Sequence, residues 1–170
     1  TRVIILNSPN NPTGTVYPES DLQSLAAILR KAGENRPRPI YLLSDEPYRF
    51  IIFDGKTVPS MLKQYEYAVV ASSFSKDLSL AGERIGYLAI SPSMPQKEQL
   101  SAACAITNRI LGFVNAPILI QKALLMSLDA CVDVGQYEKR RDLLDQVLQK
   151  AGYEYEKPAG GLYFFPKSPI

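Results

Sequence analysis

The chain has 170 residues, 46% of them hydrophobic and 21% charged, and its net charge is +2, which is the composition of a folded globular protein. Its slight basicity is spread along the chain without a basic block, which argues against a nucleic-acid or membrane partner. The absence of histidine excludes histidine triads and histidine metal sites, and we expect no metal.

Strand and helix signals alternate along the first half of the chain. Val3 to Leu6 is a continuous apolar run, as in a strand covered on both faces of a sheet. A turn rich in Pro and Asn follows, and then a helix that opens near Pro18. The apolar stripe of this helix consists of Leu22, Leu25, Ala26 and Leu29. Further apolar runs predict strands over residues 40–43, 67–71 and 85–90.

This order of elements predicts an α/β fold, with a mostly parallel sheet and flanking helices. The link between the third and fourth strands is too short for a full crossover helix. The fourth strand is therefore able to join the sheet in the antiparallel direction.

The second half of the chain is helical in pattern. One predicted helix carries Leu100, Ala103, Cys104 and Thr107 on one face, and Pro117 opens another. A third covers residues 137–151 and stops at Gly152, with residues 138–142 interpreted as solvated surface. Its apolar stripe consists of Leu144, Val147, Leu148 and Ala151. A hairpin-like segment over residues 153–166 follows.

The cysteines and the lack of targeting signals bear on the compartment. Cys104 and Cys131 stand apart in helical-looking segments with no metal-ligand spacing. We interpret them as buried free thiols of a reducing compartment. No signal peptide, transit segment or membrane-length apolar run is visible, so we expect a cytoplasmic protein.

Polar residues follow three consecutive predicted strands, at the point where each strand ends. They are Asn11 after the first strand, Asp45 and Tyr48 after the second, and Ser73, Ser75, Lys76 and Arg84 after the third. In an open parallel sheet, ligands bind beyond the carboxyl ends of the strands. A lysine at the end of a buried strand is costly unless it does chemistry or finds a partner. These residues therefore predict a site at this edge.

Each of these residues also has a simpler interpretation. Asn11 could only shape its turn, and Asp45 could cap a loop. Tyr48 could be a core aromatic, and Arg84 could pair with a neighbouring glutamate. Together, however, they supply an amine, a carboxylate, a phenol, an amide, hydroxyls and a guanidinium at one edge. That inventory fits a phosphorylated aldehyde cofactor with a ring nitrogen, held as a Schiff base.

The segment from Ser73 to Gly86 resembles the pyridoxal-phosphate attachment signature of the class I/II aminotransferases, the aspartate aminotransferase-like group of fold type I. Residues 11–14 (Asn-Pro-Thr-Gly) and 45–48 (Asp-Glu-Pro-Tyr) are similar to two further blocks of this family, in the same order. Residues 137–142 and 158–161 resemble its region entering the small domain. The resemblance covers essentially the whole chain.

The resemblance implies pyridoxal 5'-phosphate as the cofactor and Lys76, Asp45 and Tyr48 as the catalytic residues. Lys76 would form the Schiff base and then move the proton between the substrate Cα and the cofactor. Asp45 would pair with the pyridine nitrogen, so that the ring can accept electrons. Tyr48 and Asn11 would hydrogen-bond the phenolic oxygen of the ring.

The phosphate group would be held at the turn after the third strand. By the same resemblance, Ser73 and Arg84 would bind it, Arg84 through charge-assisted hydrogen bonds. Ser75 either joins them as a cofactor-binding residue or only shapes the turn.

The implied reaction moves an amino group from an L-amino acid to a 2-oxo acid, in a homodimer. Two alternatives use the same scaffold: a pyridoxal-phosphate-dependent lyase or synthase, and the cofactor-sensing domain of a transcriptional regulator. The cofactor residues serve all three. The substrate amino acid is not readable from the residues present.

The resemblance also predicts the domain organisation. Residues 1–130 would belong to the large cofactor-binding domain, and residues 131–170 to a connecting helix and the start of the small domain. Because complete chains of the family are much longer, we expect a fragment that is inactive alone. The arginine that grips the substrate carboxylate is expected outside this chain.

Overall fold

The computed structural model describes residues 1–168 and places four strands in one sheet, in the order β1-β2-β3-β4. The strands are β1 (Val3–Asn7), β2 (Tyr41–Asp45), β3 (Ala68–Ser73) and β4 (Gly86–Ile90). The first three run parallel, and β4 pairs with β3 in the antiparallel direction. The predicted α/β fold and the direction of the fourth strand are both confirmed.

The register of the sheet brings the ends of the parallel strands together. Asn7 pairs with Asp45, and Asp45 pairs with Ala71 on β3. The carboxyl ends of three strands therefore meet at one edge, where the residues that follow each strand become neighbours.

One face of the sheet is covered by helix α1 (Glu19–Gly33) and by the short helix α2 (Met61–Gln64). Leu22, Ala26 and Leu29 of α1 are buried, and they form a core cluster with Leu42 and Ala68 of the sheet. Leu25 packs partly buried against the same cluster. Each leucine removed from water in this way contributes about 2 kcal/mol. The predicted apolar stripe is therefore the core-facing side of α1.

The opposite face of the sheet is open within the described residues. Val3 is 52% exposed and Ile5 is 68% exposed, so the prediction that the first strand is covered on both faces is wrong here. The next helix along the chain, α3 (Lys97–Ile110), buries none of its residues. An open cleft lined by Leu88, Ile90 and residues of α3 separates it from β4.

The predicted helices of the second half are present as α3, α4 (Ile118–Leu125) and α5 (Val134–Lys150). Helix α5 starts before the predicted residue 137, because the Asp133 side chain accepts a hydrogen bond from Gln136 N and caps the helix. The predicted stop is confirmed: Gly152 has a φ of 77°, the left-handed conformation that favours glycine after a helix.

The burial of α5 is the reverse of the prediction. Its buried residues are Arg141 and Asp145, whereas Leu144 and Val147 of the predicted apolar stripe are exposed. The interpretation of residues 138–142 as solvated surface is therefore wrong for Arg141. Its guanidinium forms an ion pair with Asp54 in the loop after β2, donates to Pro158 O and lies over the Phe53 ring, and these contacts cover it.

The segment after α5 is not a hairpin, contrary to the prediction for residues 153–166. Within the described residues it has irregular backbone, and its only bridge joins Gly160 to Ile52 in the antiparallel sense. One backbone hydrogen bond, from Lys167 N to Glu154 O, joins its two ends, and others go to the loop after β2: Phe53 N donates to Ala159 O and Gly161 N donates to Ile51 O.

Both cysteines are free thiols, as predicted, but the prediction that they are buried is wrong. Cys104 is half-buried and Cys131 is exposed. None of the helices in residues 1–168 is long and apolar enough to cross a membrane. The same residues contain no cluster of acidic or thiol side chains suited to a metal ion.

Candidate active site

The predicted site residues lie along the edge where β1, β2 and β3 end. Asn11 lies in the turn after β1, Asp45 is the last residue of β2, and Lys76 lies just after β3. The structure brings Asp45, Tyr48 and Lys76 together. The Lys76 Nζ atom lies 5.9 Å from the centroid of the Tyr48 ring, and the charge of Asp45 acts on the Tyr48 hydroxyl.

Asn7, which the sequence interpretation missed, joins the ends of β1 and β2. Its Nδ2 atom donates to Asp45 O at 3.0 Å and to Asp45 Oδ2 at 3.2 Å. Its Oδ1 atom accepts from Asn11 N at 2.6 Å. One amide thereby orients both the Asp45 carboxylate and the turn that carries Asn11. In the sequence, the polar Asn7 directly after the apolar run of the first strand could have indicated this role.

The Asp45 carboxylate is half-buried and has no cationic partner among residues 1–168. Burial raises its pKa above the ordinary value for an aspartate, because it disfavours the charged form. The Asn7 amide supplies a neutral donor only. A cation placed against Asp45 would therefore be attracted by a carboxylate that has no other cationic partner among residues 1–168.

Tyr48 is the most deeply buried of the predicted site residues, with 3% of its surface exposed. Its hydroxyl donates to the Tyr163 hydroxyl at an O–O distance of 3.4 Å. Burial raises the Tyr48 pKa, and the Tyr163 hydrogen bond and the Asp45 charge raise it further. The phenol is thus kept protonated, which leaves it one proton to donate.

The remaining predicted residues are Ser73, at the end of β3, and Ser75 and Arg84, in the link to β4. Ser73 pairs with Gly86 of β4, and a side chain at Gly86 would come within 2.5 Å of Ser72 O, so the strands approach closely here. Arg84 lies two residues before that glycine. Its backbone has a φ of 52°, and its guanidinium donates to Ala81 O at 2.9 Å.

The Arg84 side chain is exposed, and within the described residues it makes no ion pair. The alternative in which it pairs with a neighbouring glutamate is not realised. Arg49 takes that role, since its guanidinium binds the buried carboxylate of Glu46. Ser75 is half-buried, and its side chain makes no hydrogen bond within residues 1–168.

The turn after β1 packs against the segment that follows α5. Ala159 N and Gly160 N both donate to Gly14 O, at 3.0 Å and 3.1 Å. A side chain at Gly14 would come within 2.4 Å of the Pro158 side chain, and the φ of Gly14 is +71°. Only glycine fits this contact. Residues distant in the sequence are thereby locked together beside Tyr48.

The donor set at this edge suits a particular kind of ligand. Asp45 lacks a cation, Lys76 offers a primary amine, and Tyr48 offers a phenol proton. Arg84 offers a guanidinium without an ion-pair partner for an anion. A ring nitrogen that carries a proton, an aldehyde, a phenolic oxygen and a phosphate would each meet a matching group.

Comparison with known proteins gives a consistent result. The family model described as aminotransferase class I and II matches residues 1–169. The aromatic-amino-acid aminotransferase 2 of Thermococcus litoralis is 29% identical over 98% of this chain and 42% of its own length. A probable aspartate aminotransferase of Methanocaldococcus jannaschii is 33% identical over 98% of this chain and 43% of its own length.

Solved structures show the same likeness. An amino transferase from Eubacterium rectale superposes with a TM-score of 0.95 at 44% identity, over 99% of this chain and 42% of that one. The aspartate aminotransferase of Thermotoga maritima gives a TM-score of 0.83 at 28% identity, over 100% of this chain and 43% of that one. The chain thus spans about two fifths of the length of the proteins it matches.

Proposed function

Because this chain belongs to the class I and II aminotransferase family, we propose that it forms the lysine-bearing part of a pyridoxal-phosphate-dependent aminotransferase. The reaction is the transfer of an amino group from an L-amino acid to a 2-oxo acid. The observation that carries the proposal is that the Lys76 amine lies over the Tyr48 ring. Both lie at the edge of the sheet where β2 ends with Asp45.

The cofactor supplies an aldehyde that captures amino groups and a ring that withdraws electrons from the substrate Cα. Lys76 Nζ is the primary amine that would bind this aldehyde, and the same amine, once free, would hold and move the substrate Cα proton. Lys76 follows β3, and its Nζ atom lies over the Tyr48 ring, so the two side chains could contact one ligand.

Asp45 is the residue that would hold the protonated ring nitrogen. Its carboxylate is half-buried without a cationic partner, so a cation placed there gains Coulomb energy that offsets the cost of burying the charge. Asn7 keeps the carboxylate in place through its amide hydrogen bond to Oδ2.

The other polar groups hold the remaining parts of the cofactor. Tyr48 would donate its proton to the phenolic oxygen, and the Asn11 side chain, exposed in the turn that Asn7 anchors, would be a second donor. Arg84 would bind the phosphate through its guanidinium, and Ser73 and Ser75 would add hydroxyl donors at the same turn.

The names of the matched relatives favour an aminotransferase over the lyase, synthase and regulator alternatives. We further propose the domain division at residue 130, which is supported by the start of α5 at Val134 behind its Asp133 cap. A homodimer remains part of the proposal, by analogy with the family.

Cofactor attachment is tested by trapping. The chain is incubated with pyridoxal 5'-phosphate, reduced with borohydride and mapped by peptide mass spectrometry. We expect the label on Lys76 at far lower cofactor concentration than on the exposed Lys63, and we expect Lys63→Ala to leave the Lys76 label unchanged. Equal labelling of the two lysines would contradict the assignment.

Amino-group transfer is tested in a chimera in which residues 1–168 replace the matching segment of an aspartate aminotransferase. Addition of L-aspartate or another L-amino acid should convert bound pyridoxal phosphate into pyridoxamine phosphate. The Lys76→Ala chimera should convert none. A chimera that is labelled at Lys76 but converts no amino acid would refute the transaminase proposal while leaving the cofactor proposal intact.

A further inference from the structure

Tyr163 is the hydrogen-bond partner of the Tyr48 hydroxyl. The two oxygens are 3.4 Å apart, and the two rings meet edge to face with centroids separated by 6.1 Å. Within residues 1–168 the Tyr48 hydroxyl has no other hydrogen-bond partner. Tyr48 is buried whereas Tyr163 is 41% exposed. The pair therefore joins a buried hydroxyl of the site to a solvent-exposed residue.

The position of Tyr163 is set by the segment that precedes it. Gly161 N donates to Ile51 O at 2.9 Å, and a side chain at Gly161 would lie 3.9 Å from Tyr48 Cγ. Gly14 O accepts from two backbone amides of the same segment. These anchors hold the segment against both the turn after β1 and the loop after β2, so the Tyr163 hydroxyl is held beside that of Tyr48.

The proton count of the pair limits what it can do. A phenol has one proton to donate and can also accept hydrogen bonds. Here the Tyr48 proton is directed at Tyr163. If Tyr48 instead donates to a ligand oxygen, its own oxygen is free to accept, and the Tyr163 hydroxyl can reverse and donate to it. Such a chain of donors strengthens the outer hydrogen bond.

We propose that Tyr163 is a positioning residue for Tyr48: it accepts the Tyr48 hydrogen bond when no ligand is present and donates to Tyr48 when that proton points at a phenolic oxygen of a bound ligand. The inference rests on the proposed function for the identity of the ligand. The hydroxyl pair itself does not depend on it, so the two can be tested separately.

The first test needs no cofactor. Tyrosines labelled with 13C at Cζ are compared by NMR at neutral pH in the unaltered chain, in Tyr163→Phe and in Tyr153→Phe, with Tyr48→Phe to assign the signal. Removal of the Tyr163 hydroxyl should shift the Tyr48 Cζ signal, because the Tyr48 hydroxyl loses its hydrogen-bond partner while the neighbouring ring is kept, and Tyr153→Phe should leave the signal in place. Tyr153, which is 38% exposed and hydrogen-bonds no residue through its hydroxyl within residues 1–168, is the matched control.

The second test compares pyridoxal 5'-phosphate with its 3-deoxy analogue, which lacks the phenolic oxygen. Tyr163→Phe should weaken binding of pyridoxal phosphate several-fold and leave the analogue unaffected, and Tyr153→Phe should change neither. Equal weakening of both ligands would show a merely structural role and overturn the inference, as would an unchanged Tyr48 Cζ signal. If neither the unaltered chain nor the chimera that carries residues 1–168 binds either ligand, the proposed function fails and the ligand-bound half of the inference fails with it.

Discussion

At the scale of single residues, the charge on Asp45 is set by burial without a counter-ion. The carboxylate is half-buried at the end of β2, and among residues 1–168 it receives one hydrogen bond, from the neutral Asn7 amide. Burial therefore raises its pKa. A cationic ring nitrogen would reverse this effect, because an opposite charge at contact distance favours the ionised form.

The raised pKa of Asp45 predicts a dependence of stability on pH. The folded chain binds this proton more tightly than the unfolded chain, whose aspartate has the ordinary value of 3.8. The stabilisation is therefore complete below that value and is lost as the pH rises through the raised folded-state pKa. Asp45→Asn removes the titration, so its free energy of unfolding relative to the unaltered chain should increase from pH 3.5 to pH 7.

The measurement is urea unfolding of both chains across this range. A difference in the free energy of unfolding that stays constant with pH would show that burial does not raise the Asp45 pKa. Asp54, Asp142 and Asp145 have lowered pKa values and change stability in the opposite direction. They are present in both chains and cancel in the comparison.

At the scale of elements, α5 is attached to the rest of the chain through a charged side chain rather than through an apolar stripe. Arg141 forms ion pairs with Asp54 and Asp142, donates to Pro158 O at 3.3 Å, and lies 4.7 Å from the centroid of the Phe53 ring. One guanidinium thus connects the helix with the loop after β2 and with the segment beside Gly14.

Replacing Arg141 should therefore destabilise the chain more than replacing its neighbour. Arg141→Met keeps the bulk but leaves the carboxylates of Asp54, Glu138 and Asp142 without their shared cation. Because Asp54 and Asp142 are about half exposed and can rehydrate, we expect a loss of about 2 kcal/mol, below the usual cost for a fully buried pair.

The matched control is Arg140→Met, since Arg140 is exposed and forms no ion pair within the described residues. Its free energy of unfolding should change by less than about 0.5 kcal/mol. Chemical denaturation of the two variants is the measurement. Equal losses would mean that the Arg141 ion pairs contribute nothing beyond surface charge.

The elements themselves were largely predictable, because their signals are local. The stripe of α1 repeats at helical spacing, and the short link before β4 restricts that strand to the antiparallel direction. The segment after α5 was predicted as a hairpin and is not one. Besides the hydrogen bond from Lys167 N to Glu154 O, its backbone bonds to Gly14, Ile51 and Phe53, and no local pattern indicates partners so distant in the sequence.

At the scale of the whole molecule, apolar surface is exposed over the open face of the sheet and over α3 and α4. The large exposed side chains around these helices include Ile110, Leu111, Phe113, Leu119, Leu125 and Met126. Contiguous apolar surface of this kind marks a region where another surface can bind. We expect the isolated chain to bind an apolar dye and to self-associate at high concentration.

Two adjacent leucines of α4 differ in their exposure, so substitutions there can distinguish a surface position from a buried one. Leu124 is 6% exposed and Leu125 is 74% exposed. Leu125→Lys should reduce dye binding and self-association while changing the free energy of unfolding by less than about 0.5 kcal/mol. Leu124→Lys should lower that free energy by about 3 kcal/mol or more, because it buries a charge in an apolar site.

Dye fluorescence, analytical ultracentrifugation and urea unfolding of the two variants provide the readouts. Equal destabilisation by both substitutions would contradict the packing of α4. Unchanged dye binding in Leu125→Lys would mean that this face is not the exposed apolar surface.

The candidate site residues could be proposed from the sequence, because the ends of parallel strands must share an edge and because Asn11, Asp45, Tyr48, Lys76 and Arg84 stand in motifs at those ends. Chain order alone could not reveal which groups touch. The Asn7 amide on Asp45, the Tyr163 hydroxyl on Tyr48 and the Gly14 contact with Pro158 join residues that are remote in the chain. Such contacts depend on register and packing, which arise only when the strands, turns and the segment after α5 are assembled together.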